Sequence, residues 1–459
     1  MKSCLACNSY ISDDAKYCPN CGFPVKDGTD IDPDVLPPGT ELKGGLCRIG
    51  KCIGRGGFGI TYKGCYLKDN KIQVCAIKEL FIDGSRRIGK TVSKPYDLDT
   101  QSYFSFKKRF FDEAKILLSL CQGENNPEAI PDIYDVFEEN GTVYYVMEFV
   151  DGKTIDKIVE EKGCFDENTA VDYILQICSA LKEVHKLNII HRDIKPQNII
   201  INETTKKAYL VDFGSAREFY RDITQKYTVL ISEGYSAPEQ YSSHGRFGVE
   251  SDIYSLGATL YFMLTGVIPL SAMDRLQGEQ LTPPKKLNPK LLDKTESVIL
   301  KCMSIERKRR YTSVDELENE LKSIKKILTS IYDKEWFYDN LFTIKEVEKL
   351  VSCGLTPQQA RQWVKVFGDK SEAINLASKW AEYIKDPKTV KYWRKKISEY
   401  VEIDESIEKT GRLQILVKKL IEENVYPIRG WKIVYPICPF VESDYYFYNG
   451  FADFLMIVL

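Results

Sequence analysis

A glycine-rich segment near the start of the chain constrains the fold more than any other feature. It has the form G-x-G-x-x-G, with glycines at Gly54, Gly56 and Gly59. A dinucleotide-binding fold would place a helix directly after such glycines, but here two strand-like segments follow, ITYKGCYL and IQVCAIKEL. The pattern therefore predicts a β-hairpin whose glycine turn lets the backbone approach phosphate oxygens without side-chain obstruction.

A lysine on the next strand extends this pattern. Lys78 ends the segment VCAIK, where a lysine can reach the α- and β-phosphates of a bound nucleotide. Downstream, RFFDEAKILLSL predicts an amphipathic helix that carries Glu113. A carboxylate paired with Lys78 would fix the position of the ammonium group and favour its charged form. Taken alone, Lys78 would be interpreted as a solvated strand lysine, and only the later motifs favour the functional interpretation.

Three further motifs follow in a fixed order. They are HRDIKPQN at residues 191–198, DFG at 212–214 and APE at 237–239. With the glycines and the lysine, they match the signature of protein kinases in identity, order and context. The region from residue 39 to 329 therefore resembles the bacterial, eukaryotic-like serine/threonine protein kinases. The resemblance implies an α+β, bilobal fold with a β-rich N-lobe and a helical C-lobe, in line with the change from short β-like to long helical segments along the chain.

The resemblance implies the catalytic residues. Asp193 would orient the acceptor hydroxyl and accept its proton, and Lys195 would neutralise charge on the transferred γ-phosphate. Lys78 and Glu113 would form the ion pair that marks the active state.

The resemblance also implies which residues bind ATP and Mg²⁺. Asn198 and Asp212 would hold Mg²⁺ between the phosphates. The full set expected to bind nucleotide and metal is Ile53, Gly54, Gly56, Gly59, Thr61, Ala76, Lys78, Met147, Glu148, Val150, Asn198, Ile200 and Asp212.

Several residues in the second part of the kinase-like region bear on substrate specificity and packing. A lysine two residues after Asp193 is the serine/threonine pattern, and Ser232 stands where such kinases usually have threonine, so its hydroxyl is expected to bridge Asp193 and Lys195. Ile231 replaces the usual glycine, which leaves the shape of the acceptor site open. The resemblance further implies a structural ion pair between Glu239 and Arg310, and a helix aspartate, Asp252, that braces the catalytic loop.

Two regions are candidates for regulation. An arginine beside the catalytic aspartate, here Arg192, is typical of kinases whose activation segment becomes phosphorylated. Thr224 and Thr228 are the candidate phosphorylation sites, and an activation segment that is ordered without modification is an equal alternative. The insert at residues 81–108 is expected to be a solvated loop, with regulation of the Glu113 helix as the alternative. A further rival to the enzyme is a pseudokinase or scaffold, which the presence of every residue that the chemistry needs disfavours.

Four cysteines near the N-terminus have the spacing of metal ligands. Cys4-x-x-Cys7 and Cys18-x-x-Cys21 form two pairs ten residues apart. Two such turns facing each other build a tetrahedral zinc site, and metal binding would supply the folding energy of so small a segment. The segment resembles bacterial zinc ribbons, and four cysteine ligands favour a structural over a catalytic zinc. The alternative is four unrelated or redox-active thiols.

The organisation and composition complete the expectations. We expect a zinc ribbon at residues 1–25, an extended and solvated linker at 26–38, a kinase domain at 39–329 and a mostly helical domain at 330–459. The net charge of −2 gives no reason to expect nucleic acid as a partner. No apolar run reaches the ~20 residues that cross a membrane. The other cysteines occur singly, as in reduced proteins. A cytoplasmic protein with protein substrates is expected, with self-association an open alternative.

The C-terminal region offers no chemistry of its own. Thr356-Pro357 is typical of a helix start, and SEAINLASKWAEYI and TGRLQILVKKLIEENV have helical spacing. The text beyond Tyr426 is aromatic and β-like, and residues 451–459 are too short to span a membrane. Packing against the kinase domain is the favoured role, with substrate recruitment, dimerisation and autoinhibition as alternatives.

Overall fold

The computed structural model describes most of the chain up to residue 398. The described residues are 2–4, 7, 9–23, 32–123, 126–213, 232–241, 247–331, 341–381, 384 and 386–398. By its internal contacts the chain divides into two compact units, residues 1–322 and 323–459. In the described ranges no helix is both long and apolar enough to cross a membrane.

A six-stranded antiparallel sheet forms the upper lobe of the first unit. The strand order is β3-β4-β5-β6-β10-β9. A small hairpin, β1 with β2, precedes this sheet. The strands are β1 (Lys2–Ser3), β2 (Tyr10–Ile11), β3 (Glu41–Leu42), β4 (Cys47–Gly56), β5 (Gly59–Lys68), β6 (Lys71–Leu80), β7 (Arg86–Ile88), β8 (Thr91–Ser93), β9 (Ile133–Glu139) and β10 (Thr142–Glu148). The predicted glycine hairpin is confirmed, because β4 and β5 pair around it and β6 carries Lys78.

One long helix packs on this sheet. Helix α1 spans Thr100–Gln122, and the Asp99 carboxylate caps it by accepting a hydrogen bond from the backbone N–H of Ser102. Its apolar side, including Phe106 and Leu117, shares a core with buried residues of β9 and β10. The predicted helix that carries Glu113 is therefore confirmed.

Two segments expected to be solvated are ordered parts of the lobe. Residues 81–108 contain the hairpin β7–β8, in which Val92 is buried and its backbone N–H donates to the carbonyl of Asn140. In the described part of the linker, Leu36 is 0% exposed and packs in a core of sheet residues. The expectation of a solvated loop is wrong for the insert, which places Phe81, Ile82, Val92, Leu98, Tyr103 and Phe106 in the cores of the lobe. In the described part of the linker, Leu36 is packed and not solvated.

The lower lobe is mainly helical, as predicted. It contains a three-stranded sheet of order β11-β12-β13 and a helix, α4, that is buried from Ser251 to Leu264. The elements are β11 (Lys153–Thr154), α2 (Ile155–Lys162), α3 (Glu167–Lys186), β12 (Ile199–Asn202), β13 (Lys207–Leu210), α4 (Val249–Thr265), α5 (Ala272–Leu276), α6 (Pro284–Leu287), α7 (Asp293–Cys302) and α8 (Val314–Ile331). The last of these helices continues past residue 322 into the second unit.

The second unit is helical where the structure describes it. Its helices are α9 (Ile344–Ser352), α10 (Pro357–Phe367), α11 (Lys370–Trp380) and α12 (Pro387–Ser398). Thr356 caps α10 and Pro357 is its first residue, as predicted. The two largest fully buried side chains, Trp363 and Trp380, come from α10 and α11. The predictions for residues 410–425, for the segment beyond Tyr426 and for residues 451–459 lie outside the described residues.

Candidate active site and cysteine cluster

A cleft of about 350 Å³ lies under the glycine-rich hairpin, within the range of small-ligand sites. A Cβ at Gly54 or Gly56 would meet nothing within 4 Å, so internal packing does not require glycine there. At Gly59 a Cβ would lie 2.6 Å from the carbonyl oxygen of Glu79, so glycine permits the close approach of β5 to β6. The cleft is lined by Gly54, Arg55, Gly56, Gly57, Phe58, Gly59, Thr61, Lys78, Phe110, Asp193, Gln197, Asn198, Asp212 and Phe213.

The lysine of β6 meets a carboxylate across this cleft. Lys78 Nζ forms an ion pair with Asp212 Oδ1, and the Asp212 side chain is 46% exposed. Glu113 lies near both Lys78 and Arg192. Burial raises the pKa of Glu113 from 4.5 to about 7, and the positive charges of Lys78 and Arg192 oppose that shift. The pairing of Lys78 with Glu113 stays a prediction, and the observed ion pair of Lys78 is with Asp212.

The catalytic-loop aspartate is held by three side chains. Asp193 is 4% exposed, and its Oδ2 accepts a hydrogen bond of 2.8 Å from Asn198 Nδ2 and lies 3.0 Å from Lys195 Nζ. Its Oδ1 accepts from the Ser232 hydroxyl at 2.7 Å. Lys195 Nζ donates to the same hydroxyl at 3.1 Å. The predicted bridge by Ser232 is therefore confirmed, and three side chains fix the position of the Asp193 carboxylate.

A buried aspartate of α4 anchors the same loop. Asp252 is 0% exposed, and its two oxygens accept the backbone N–H groups of His191 and Arg192 at 2.9 and 2.8 Å. His185 Nε2 lies 2.8 Å from Oδ2. Burial alone would raise the pKa of Asp252, but the His185 hydrogen bond and neighbouring charges lower it overall. The predicted bracing role of this residue is confirmed.

One ring contact and two unusual backbone angles occur in and near the catalytic loop. Burial lowers the pKa of His191 to about 4, so its ring is neutral at pH 7, and the ring centroid lies 4.5 Å from that of Phe213. Asp212 and Arg192 have positive φ angles of 69° and 68°, which are unusual for residues with side chains.

The predicted ion pair near the end of the activation segment is present. Arg310 is 3% exposed and donates from both terminal nitrogens to Glu239, at 2.8 and 3.0 Å. This bidentate pair joins the APE segment that carries Glu239 to the segment just before α8 that carries Arg310. Thr224, Thr228 and Ile231 lie outside the described residues.

Two of the residues expected to bind adenine lie opposite each other on adjacent strands of the six-stranded sheet, and the adenine site as a whole stays a prediction. Ala76 on β6 pairs with Met147 on β10, and both are largely shielded. The backbone N–H of Glu148 donates to the carbonyl of Asp132, so Val150 remains the candidate backbone donor for a base. The side chain of Ile53 on β4 is 47% exposed, and that of Ile200 on β12 is half-buried.

The chain's sequence matches the family of protein kinase domains over residues 47–322. This match covers more than half of the 459 residues. The chain belongs to the protein kinase family. The β-rich and helical lobes of its first unit are thus the two lobes of a kinase domain.

Relatives of this kinase include named bacterial enzymes. It is 32% identical over 281 residues to serine/threonine-protein kinase PrkC of Bacillus subtilis, covering 59% of this chain and 41% of the relative. It is 36% identical over 228 residues to serine/threonine-protein kinase C of Synechocystis, covering 48% and 39%. The chain thus spans about two fifths of the length of these relatives. The solved structure of PpkA-294 in its apo form has a similar fold, with a TM-score of 0.54 and 24% identity over 63% of this chain and 99% of that one.

The four N-terminal cysteines of this kinase converge. Their sulfurs all lie within 4.8 Å of one another, with 3.5 Å between Cys4 and Cys21 and 3.7 Å between Cys7 and Cys18. A tetrahedral zinc with Zn–S bonds of about 2.3 Å would separate its sulfurs by about 3.8 Å. The donor set and its spacing therefore fit zinc.

The cysteine cluster packs on the kinase sheet, which the sequence did not indicate. Cys65 on β5 lies in one apolar cluster with Cys4, Cys18 and Cys21. Lys63 Nζ, also on β5, donates to the carbonyl of Pro19 at 3.0 Å. Cys65 was expected to be an isolated core thiol, and no local signal reveals a partner 44 or more residues earlier.

The sequence also does not predict a buried network of side chains behind β6. The carboxylate of Glu79 forms an ion pair with Arg87 at 2.6 Å, and their side chains are 0% and 1% exposed. The hydroxyls of Tyr62 and Tyr144 donate to the same carboxylate at 2.8 and 2.7 Å. We call these four residues the Glu79 network. It fastens the insert hairpin to the strand that carries Lys78.

Proposed function

We propose that this chain is an ATP-dependent serine/threonine protein kinase that transfers the γ-phosphate to protein hydroxyls. The observation that carries the proposal is the fixed Asp193 carboxylate, which Lys195 and Asn198 hold at the floor of a cleft under glycines. Phosphoryl transfer needs positioning and charge neutralisation more than covalent chemistry, and this arrangement supplies both.

Each residue has a role consistent with its position. Asp193 orients the acceptor hydroxyl and takes its proton, while Lys195, 3.0 Å away, neutralises charge that develops on the transferred phosphate. Lys78 binds the α- and β-phosphates. Glu113, close enough to feel the charge of Lys78, favours the position of that ammonium group once ionised.

Magnesium fits the oxygens that face the cleft. Asn198 uses its amide nitrogen on Asp193, which leaves its amide oxygen to a metal, and the Asp212 carboxylate is partly exposed. When bound, Mg²⁺ neutralises phosphate charge between these two residues. Asp212 would contribute a carboxylate oxygen to the metal, and Asn198 its amide oxygen.

The test is a transfer assay on the full chain. Purified protein is incubated with γ-labelled ATP and Mg²⁺ beside Asp193→Asn, with the exposed Asp112→Asn of α1 as the matched control. Label on serine or threonine that is lost in Asp193→Asn and kept in Asp112→Asn supports the proposal. Binding of ATP without any transfer by the wild type would favour the scaffold alternative. Mapping by mass spectrometry also shows whether Thr224 or Thr228 is modified.

We further propose that the four cysteines hold one structural Zn²⁺. Four thiolate ligands leave no open position for a substrate, so the metal would stabilise the ribbon and its packing on β5. Elemental analysis of the purified chain should give one zinc, and chelation should lower the unfolding temperature. Cys18→Ser should lose the metal and the exposed Cys164→Ser should retain it. Four freely titrating thiols in metal-free protein of unchanged stability would contradict the proposal.

The remaining assignments also stay proposals. They are the domain boundaries at residues 25, 38 and 329, a cytoplasmic location and protein substrates. For the second unit, packing against the kinase domain is the proposed role.

A further inference from the structure

A short segment ahead of the kinase sheet contacts the glycine-rich loop. We call residues 32–36 the bridging segment. Within the loop G-R-G-G-F-G, Arg55 and Phe58 are the only residues with side chains. Arg55 Nη1 forms an ion pair with the carboxylate of Asp32, and its Nη2 lies 2.9 Å from Asp34 Oδ2. One guanidinium therefore joins the loop to two carboxylates of the bridging segment.

Further hydrogen bonds hold the bridging segment in place. The backbone N–H of Asp34 donates to Asp32 Oδ1 at 3.0 Å, which sets the turn between them. Arg87 Nε donates to the carbonyl of Asp34 at 2.7 Å. Leu36 is fully buried, and its backbone N–H donates to the Tyr62 hydroxyl at 3.1 Å. The bridging segment is thus anchored to the Glu79 network, and the Arg55 pairs do not have to order flexible partners.

The loop itself is costly to order. Glycine loses more conformational freedom than any other residue, and four of the six loop residues are glycine. A contact that orders the loop before ATP arrives removes part of that cost from binding. Arg55 also lies over Phe81, with its guanidinium carbon 5.5 Å from the ring centroid, which adds a contact with the body of the lobe.

We propose that Arg55 is a positioning residue whose ion pairs with Asp32 and Asp34 hold the glycine-rich loop over the phosphates of ATP. The inference rests on the proposed kinase function.

The rival role for Arg55 is direct contact with a phosphate. The two roles predict opposite changes in ATP affinity when Asp32 and Asp34 are neutralised. If Arg55 bound phosphate, neutralising Asp32 and Asp34 would release it and tighten ATP binding. If Arg55 positions the loop, the same change weakens ATP binding, because the loop loses its anchor.

The experiment measures ATP affinity by calorimetry in the presence of Mg²⁺, together with KM and kcat, on the full chain. Arg55→Gln and the double variant Asp32→Asn/Asp34→Asn should each raise Kd and KM for ATP about three- to tenfold, the range that two exposed ion pairs together supply. We expect kcat to change less than about twofold, because Asp193 and its partners are untouched. Arg55→Lys should recover part of the affinity, since a lysine meets one carboxylate at a time.

The matched control is Arg48→Gln. Arg48 lies on the same strand, β4, and forms an ion pair of similar exposure with Glu41 at 2.6 Å, away from the loop. It should leave Kd and KM at the wild-type values. The difference between wild type and Arg55→Gln should shrink in 0.5 M salt, because exposed charges are then screened over about 4 Å.

The outcomes separate the two proposals. A wild-type protein that binds ATP but transfers no phosphate refutes the kinase function and still allows the affinity comparison. Wild-type affinity in Arg55→Gln, or tighter binding in the aspartate double variant, overturns the positioning role whatever the activity. Unchanged thermal unfolding of the variants shows that they are folded.

Discussion

Lys78 and Glu79 are neighbours on β6, but their side chains face two different regions. Lys78 faces the nucleotide cleft, where its partner Asp212 is 46% exposed. Glu79 faces the opposite side of the sheet, where Arg87 and two tyrosine hydroxyls surround its carboxylate and neither charged side chain is more than 1% exposed. The same strand therefore carries one ion pair that a ligand can rearrange and one that is sealed from water.

The difference teaches which charges contribute to function and which to the fold. A partly exposed pair contributes little to stability, so its partners remain available to phosphate and metal. A sealed pair is costly to break, because each charge left alone is buried without compensation. Since the two pairs share β6, the Glu79 network also fixes the strand on which Lys78 is presented.

The largest expected effect comes from breaking the sealed pair. Arg87→Met should lower the free energy of unfolding by about 3–5 kcal/mol, because Glu79 keeps its burial and loses its counter-charge. Urea denaturation measures this change. The double variant Glu79→Met/Arg87→Met should recover part of the loss. A single variant that loses less than about 1 kcal/mol would show that water reaches the Glu79 network.

In the cleft we expect the opposite result, a large loss of activity with a small loss of stability. Asp212→Asn should reduce phosphoryl transfer by about 10²–10³-fold, the cost of removing one electrostatic group from a transition state. Its effect on the free energy of unfolding should be below about 1 kcal/mol, because the Asp212 side chain is partly solvated. Steady-state kinetics and urea denaturation on the same preparation test both halves. A strongly destabilised variant would erase the contrast between the two sides of β6.

The smallest effect concerns pH. Burial raises the pKa of Glu113 from 4.5 to about 7 in the folded chain, so the folded state holds a proton that the unfolded state has released. The contribution of Glu113 to stability is therefore fully present below pH 4.5 and is lost as the pH rises to about 7. The denaturation midpoint of the wild type should fall across this window relative to that of Glu113→Gln. Parallel pH profiles for the two proteins would contradict the raised pKa.

Much of the kinase domain was predictable because its signals are local or ordered along the chain. Alternation and glycine spacing predict the β4–β5 hairpin, and a 3.6-residue period predicts α1. The contacts of Ser232, Asp252 and Glu239 follow from the order of short motifs, which places each residue in a known part of a known fold.

The residues that the sequence did not reveal depend on contacts between distant segments. From composition alone, Asp32 and Asp34 would be predicted to lie in solvated chain. Only the contacts of Leu36 and Arg87 show that the structure fixes their positions. Arg87 lies in an insert with no clear periodicity, so nothing in its neighbourhood predicts a buried ion pair. The packing of Cys65 against the N-terminal cysteines joins segments whose spacing carries no information.

The anchoring of the catalytic loop by Asp252 has a consequence for local opening. Residues 191–195 belong to no helix or strand, and loops of that kind usually exchange their amide hydrogens quickly. Here the amides of His191 and Arg192 are bound by the carboxylate of Asp252, which is fully buried in the first turn of α4. Their exchange with solvent deuterium should therefore be as slow as that of the buried helix, so that an irregular loop unfolds only when the lower lobe does.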